Sequence, residues 1–252
     1  MSRAITTLAV DRPKKKVCWI SAGVSSFVSG YLEKETIDEF IYIDISDQHP
    51  DSMRFIKDCE KALGKPIQIL RNREYASVED AVLAAGMIRN PYNMFYPCTN
   101  WLKKRVRKEW EEENKAYDLI YVWGMDLAEK DRANRLYDST PNAAHQFPLI
   151  ERNMTKEEAH GLCAALEIKR PMMYDLGYPN NNCVGCLKGG MGYWNKIRQD
   201  FPDVFEKRAR LERIIGASIL KKYFLDELPL DAGRELKPIM EDCNLFCMVE
   251  TV

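Results

Sequence analysis

The chain has 252 residues and a formal net charge of −1, with 46% hydrophobic and 30% charged residues. These values suit a globular protein with a sizeable core and exclude a strongly basic chain, so only a local groove would serve nucleic acid or an anionic membrane. No apolar run reaches membrane-spanning length and the N-terminus lacks the apolar stretch of a signal peptide, which points to a cytoplasmic protein with no membrane partner.

A lead-in closes on the basic run RPKKK, and then the pattern alternates. VCWIS (17–21) predicts a strand, and SSFVSGYL (25–32) a helix. FIYIDIS (40–46) is rich in β-branched and aromatic residues and predicts a strand. DSMRFIKDCEKAL (51–63) predicts a helix begun by Asp and Ser after Pro50. PIQIL (66–70) predicts a strand, SVEDAVLAAGMI (77–88) a helix with a Ser-x-x-Asp opening, TNWLKKRVRKEWEEENK (99–115) a charged helix, and LIYVWG (119–124) a strand. Strand and helix alternating through short connections predict an α/β fold, an open and mainly parallel sheet with helices on both faces. Beyond residue 145 the texture changes to a helix at 155–168, a Gly/Asn-rich turn region at 174–194 and one or two helices at 202–224. The expected division is therefore an α/β part, 1–145, and a helical C-terminal part, 146–252, that carries a cysteine-bearing loop and tail.

The stretch SAGVSS (21–26) stands between the first strand and the first helix. Two readings of it are open. In one, small residues let backbone N–H groups approach a phosphate at the positive end of a helix; in the other it is a tight connecting turn. Open parallel sheets bind ligands beyond the carboxyl ends of their strands. Three such ends, 21–26, 44–52 and 124–135, are rich in polar or small residues, which favours the phosphate.

Several segments in order then resemble one family. SAGVSS stands where adenine-nucleotide α-hydrolase-like proteins with a PP-loop have a Ser-Gly-Gly-x-x-Ser loop. DISDQHPDS (44–52) resembles Asp-Thr-Gly-x-x-x-Pro-Glu-Thr, and CTNWLKK (98–104) resembles a cysteine turn followed by basic residues. GMDLAEKDRANR (124–135) resembles a Gly-x-Arg-x-x-Glu segment, and 147–178 follows a Pro-Leu, Thr-x-x-Glu, Pro, Tyr-x-x-Gly-Tyr pattern. Within that superfamily the chain resembles most the phosphoadenosine phosphosulfate (PAPS) reductases and their sulfur-transferring relatives. The resemblance implies an adenine nucleotide, ATP or PAPS, with its charged tail on Ser21, Gly23, Ser25 and Ser26, with Asp44 near the adenosine, and with Gly124, Arg132 and Arg135 as further contacts. It implies sulfur chemistry of one of two kinds: reduction of a sulfonucleotide, or ATP-dependent adenylation and sulfur transfer with loss of pyrophosphate. Two departures stand out. Ala22 and Ser25 replace residues of the Ser-Gly-Gly-x-Asp-Ser loop of ATP-splitting members, and Asp126 stands where an arginine is usual. Loss of those groups also admits a nucleotide-binding sensor or interaction subunit without turnover.

The eight cysteines are expected, in a reducing compartment, as thiols, metal ligands or redox groups. Cys183-x-x-Cys186 places two thiols on one turn, a hold for a soft metal. Iron–sulfur members of the family pair such a motif with upstream cysteines, where this chain has Cys98 alone. Cys98, Cys183 and Cys186 are thus the candidate ligands of a four-iron cluster with one open iron, or with a fourth ligand from Cys243 or Cys247. Zinc at the same residues and no metal at all are the alternatives. The tail DCNLF (242–246) distantly resembles the reductases' C-terminal motif, which makes Cys243 a candidate nucleophile needing a thiol reductant protein or sulfur donor. Cys18, Cys59 and Cys163 sit in apolar patterns and are expected in the core. Of the basic residues after Cys98, Lys103 and Lys104 are the candidates for neutralising a nucleotide or sulfonyl group. Arg105, Arg107 and Lys108 have acidic residues at helical spacing and read as a solvated face. The sulfur acceptor (a nucleobase of nucleic acid, a metabolite or a protein) and any homo-oligomeric state stay open.

Overall fold

The structure is a computed structural model that describes residues 12–90, 92, 95–140 and 143–233. β1 (Lys14–Ile20) leads into α1 (Val24–Leu32), and β2 (Glu39–Ile43) into α2 (Asp51–Leu63). β3 (Ile67–Leu70) is followed by α3 (Val78–Ala85) and a single turn, α4 (Pro97–Thr99). That turn runs through a π-helical stretch, Asn100–Arg105, into α5 (Val106–Glu113), so the charged helix expected over 99–115 is broken into three pieces. β4 (Asp118–Val122), a short 3-10 turn at Leu127–Glu129, α6 (Lys130–Ser139) and β5 (Ala144–Gln146) complete the sheet region. The remainder is helical: α7 (Pro148–Glu151), α8 (Lys156–Ala165), α9 (Met172–Asp175), α10 (Met191–Asp200) and α11 (Pro202–Ile215).

All five strands pair in parallel, in the order β3-β2-β1-β4-β5. Period-two alternation divides each strand between two faces. Val17, Trp19, Ile41, Ile43, Tyr121 and Trp123 point into one apolar cluster with α3, α5, α6, α10 and α11. Cys18, Ile20, Phe40, Tyr42 and Val122 point into the other with α1, α2 and α8. Both faces are therefore covered, as a parallel sheet requires. Cys18, Cys59 and Cys163 lie in the second cluster.

Local chemistry sets several boundaries. Ser77 and Thr155 each accept the N3 backbone N–H of the helix they open, and the N3 acid returns the bond, giving two capping boxes. Gly64 closes α2 in the left-handed conformation, φ 65°. The expected boundary between residues 145 and 146 passes through β5, and the first apolar cluster joins Trp19 and Trp123 to Trp194, Phe205 and Leu228. The expected tail nucleophile, Cys243, lies outside the described residues, as does Cys247. Among the described residues no helix is long and apolar enough to cross a membrane.

Candidate nucleotide site at the switch between two strands

From β1 the chain runs outward to β2 and β3, then returns to the other side of β1 with β4. The loops after β1 and β4 consequently diverge and leave a crevice at the carboxyl ends of the two strands, the place where open α/β sheets take ligands. A cavity of about 470 Å³ lies there, within the roughly 300–1,000 Å³ range of small-molecule sites. Ser21, Gly23, Ser25 and Ser26 form one wall and Gly124–Glu129 another. The first turn of α8 (Thr155, Lys156, Glu157), Tyr174 of α9 and Asn180–Asn182 close the rest.

The bend is held by its own hydroxyls. Ser26 Oγ accepts from the Ser21 N–H and the Ser21 hydroxyl, both at 3.0 Å, and donates to the Gly23 carbonyl at 2.8 Å. Ala22 takes the left-handed conformation, φ 58°, and its carbonyl accepts from Asn181 Nδ2 at 2.8 Å. Gly124 has no room for a side chain, because a Cβ there would lie 2.3 Å from Ser26 Cα. The end of β4 is thereby pressed against the start of α1. First-turn N–H groups of a helix have no intrahelical partner, so those of Ser25 and Ser26 sit at the positive end of α1 beside the cavity. The phenol of Tyr174 faces the N–H groups of Val24 and Asn181, and burial pushes it up to about 12.

The opposite wall is acidic. Asp126, Glu129 and Glu157 line it, with Lys156 as the counter-charge. Burial, and then the neighbouring Glu129, hold the Asp126 carboxyl above the usual carboxylate range. Burial pulls the Lys156 ammonium down against the opposing effect of Asp126 and Glu129. Lys156 Nζ donates to the Pro179 carbonyl at 2.5 Å and to Asn180 Oδ1 at 2.6 Å. Asn181 is more than nine-tenths buried, and its Oδ1 has no hydrogen-bond partner among the described residues. An acceptor in that condition suits a ligand that brings a donor.

Several expected contacts are placed elsewhere. Asp44 does not line the cavity; its carboxylate is paired with Arg71, whose Nε lies at 2.7 Å. Arg132 is buried and bound to Glu129, behind the acidic wall, and Arg135 is exposed on α6. Lys103 is buried in the π-helical stretch, and Lys104 lines a shallow surface groove with Arg105 and Lys108. The residues that pattern reasoning passed over are Lys156, Glu157, Tyr174 and Asn181. The signals at hand were the Thr-x-x-Glu and Tyr-x-x-Gly-Tyr pattern, which spans Lys156, Glu157 and Tyr174, and the Asn triplet before Cys183, a run of turn formers.

The Cys183–Cys186 turn begins where the cavity wall ends. The Cys186 N–H donates to Tyr193 Oη at 2.9 Å, and the Tyr193 hydroxyl donates to the Cys183 carbonyl at 3.1 Å, which braces the turn from beneath. Arg208, almost wholly buried, binds the Gly185 carbonyl and Asp47. Lys188 lies over the ring of Tyr96 at 5.1 Å and so ties this turn to the segment bearing Cys98. Cys98, Cys183 and Cys186 share one apolar cluster. Even so, among the described residues no three His, Cys, Asp or Glu side chains are grouped to hold a metal ion.

No protein-family model matches the chain. It is 24% identical over 198 residues to an uncharacterized protein of Methanocaldococcus jannaschii, a match covering 74% of this chain and 39% of that protein. The chain thus spans about two fifths of the length of that curated relative. Among solved structures it is similar to phosphoadenylyl-sulfate (PAPS) reductase from Candida auris in its phosphate complex. The TM-score is 0.50 at 14% sequence identity, over 69% of this chain and 84% of that one. With its five parallel strands, helices on both faces and crevice at the β1–β4 switch, the chain has a PAPS reductase-like fold.

Proposed function

We propose that this chain binds an adenine nucleotide in the cavity between β1 and β4, and that it acts on that nucleotide in sulfur chemistry. The observation that carries the first half is the cavity itself. A crevice of about 470 Å³ at the switch point joins the start of α1, which has no side-chain N-cap bond, to the hydroxyls of Ser21 and Ser25. That wall suits a phosphate tail, and the remaining walls offer the acceptors and aromatic surface that a sugar and base use. The second half rests on position. The turn bearing Cys183 and Cys186 follows the wall residue Asn182 directly, so two sulfur atoms are carried on the segment that closes the site. The solved protein of the same fold is itself a phosphoadenylyl-sulfate (PAPS) reductase.

The purified full-length chain, incubated with ATP and separately with PAPS or adenosine 5′-phosphosulfate, is expected to release pyrophosphate from the first or, given a thiol reductant, sulfite from a sulfonucleotide. Pyrophosphate would assign adenylation and sulfur transfer; sulfite would assign reduction. Nucleotide binding without either product overturns the catalytic half and leaves a binding protein. Absence of binding overturns the whole reading.

A further inference from the structure

The walls of the cavity differ in sign. The bend after β1 and the first turn of α1 present donors, whereas the other lining residues include the carboxylates of Asp126 and Glu157 beside the ammonium of Lys156, with Glu129 paired to Arg132. With the phosphate tail against the donor wall, the ribose is left facing the carboxylates. We infer that this site takes adenine nucleotides whose ribose carries free 2′- and 3′-hydroxyls, the class of AMP, ATP and adenosine 5′-phosphosulfate, and rejects those with a 3′-phosphate such as PAPS. The inference rests on the nucleotide reading above and narrows it.

The physical basis is a difference between hydroxyl and phosphate. A carboxylate accepts a ribose hydroxyl as a charge-assisted hydrogen bond, the use that dinucleotide-binding folds make of an acidic residue, whereas a phosphate on the ribose calls for an arginine. A 3′-phosphate would bring nearly two negative charges towards Asp126 and Glu157 in a partly dry cavity, where like charges repel far more strongly than in water. Among the described residues, the cations that could compensate are placed otherwise. Lys156 is anchored to Pro179 and Asn180. Arg132 is bound to Glu129. Arg135, Lys103 and Lys104 are not among the lining residues. The buried Oδ1 of Asn181 adds an acceptor to the cavity edge and no donor to meet a phosphate. Asp126 stands at the position where the resemblance expected an arginine, so the sign of this wall is inverted by a residue of this chain's own.

The test is calorimetric titration of the full-length chain with AMP and with adenosine 3′,5′-bisphosphate, in EDTA to remove divalent cations. AMP is expected to bind at least about tenfold more tightly, equivalent to ~1.4 kcal/mol, and the ratio is expected to shrink as salt is added. Equal affinities, or tighter binding of the bisphosphate, overturn the inference while leaving the nucleotide reading intact. Binding of neither overturns both. Glu157 is exposed at the rim, so Glu157→Gln is expected to fold and to narrow the ratio by strengthening bisphosphate binding; Asp126→Asn, which keeps an acceptor for the Ala128 N–H, is expected to narrow it further. A ratio unchanged in both variants would overturn the assignment of discrimination to these carboxylates.

Discussion

At Ala22 the backbone enters the left-handed region, φ 58°, with the methyl group sealed in the core beneath the bend. That conformation costs an L-residue roughly 1–2 kcal/mol, and it is held by the Asn181 amide on the Ala22 carbonyl. Ala22→Gly is therefore expected to change stability by no more than about 1 kcal/mol, because relief of strain offsets the added chain entropy. Ala22→Val, which places a β-branched residue at positive φ, is expected to cost more than about 2 kcal/mol in urea unfolding and to abolish nucleotide binding. Gly124 is constrained by space instead. Gly124→Ala is expected to destabilise by about 1–3 kcal/mol, since the new methyl meets the Ser26 backbone and forces β4 and α1 apart. Titration calorimetry on the same protein should show the nucleotide weakened as well. The small bend residues were readable in the sequence because close approach demands small side chains, whereas Gly124 was named only through the family-like segment 124–135. Asp44 was misplaced as a nucleotide contact because its partner, Arg71, comes from the neighbouring strand's end, a pairing no local pattern announces.

Among the elements, α8 connects local stability to the site. Its capping box, Thr155 with Glu158, fixes the turn whose residues Thr155, Lys156 and Glu157 form one side of the cavity. Thr155→Ala is expected to cost about 1 kcal/mol in chemical unfolding. It should also weaken nucleotide binding, whereas Ser77→Ala, an equivalent loss at α3 outside the cavity lining, should cost stability alone. The capping boxes of α3 and α8, the four longer strands and α2 were legible in sequence, since caps and periodicity are local signals. The expected helix over 51–63 coincides with α2. β5 was missed because three residues carry no alternation to read; it is a strand only by pairing with β4. α6 and the start of α10 were hidden inside segments read for their motifs, the first as a family-like arginine segment and the second as a glycine-rich turn. The acidic wall was illegible for a different reason: Asp126 and Glu157 meet only through folding.

For the molecule as a whole, His145 on the edge strand β5 sets a pH dependence. Its ring accepts from Trp123 Nε1 at 2.8 Å, and Thr140 Oγ1 lies 2.8 Å from its other nitrogen. Burial, with Arg107 acting in the same sense, lowers it to about 4. The unfolded chain takes up this proton below about pH 6.5, and the native state refuses it until about pH 4. Stability present at neutral pH is therefore lost as the pH falls from about 6.5 towards 4, by on the order of 2–3 kcal/mol. Asp126 and Glu212, whose carboxyls burial pushes up, act in the opposite sense, so the measurement is a comparison. Urea unfolding at pH 7 and pH 4.5 should show a smaller acid loss for His145→Gln than for the wild type.

The same strand bears on how the protein can be divided. β5 straddles the place where a change of texture suggested a seam, and the tryptophans on the two sides, Trp123 and Trp194, are sealed into a common interior. Severing the chain between Ala144 and Gln146 would leave an amino-terminal fragment with β4 as an unprotected sheet margin and a carboxy-terminal fragment with no sheet to lie on, both prone to aggregate. The crevice that reads as a nucleotide pocket is accordingly not a portable module; it exists only while the late helices stand behind it.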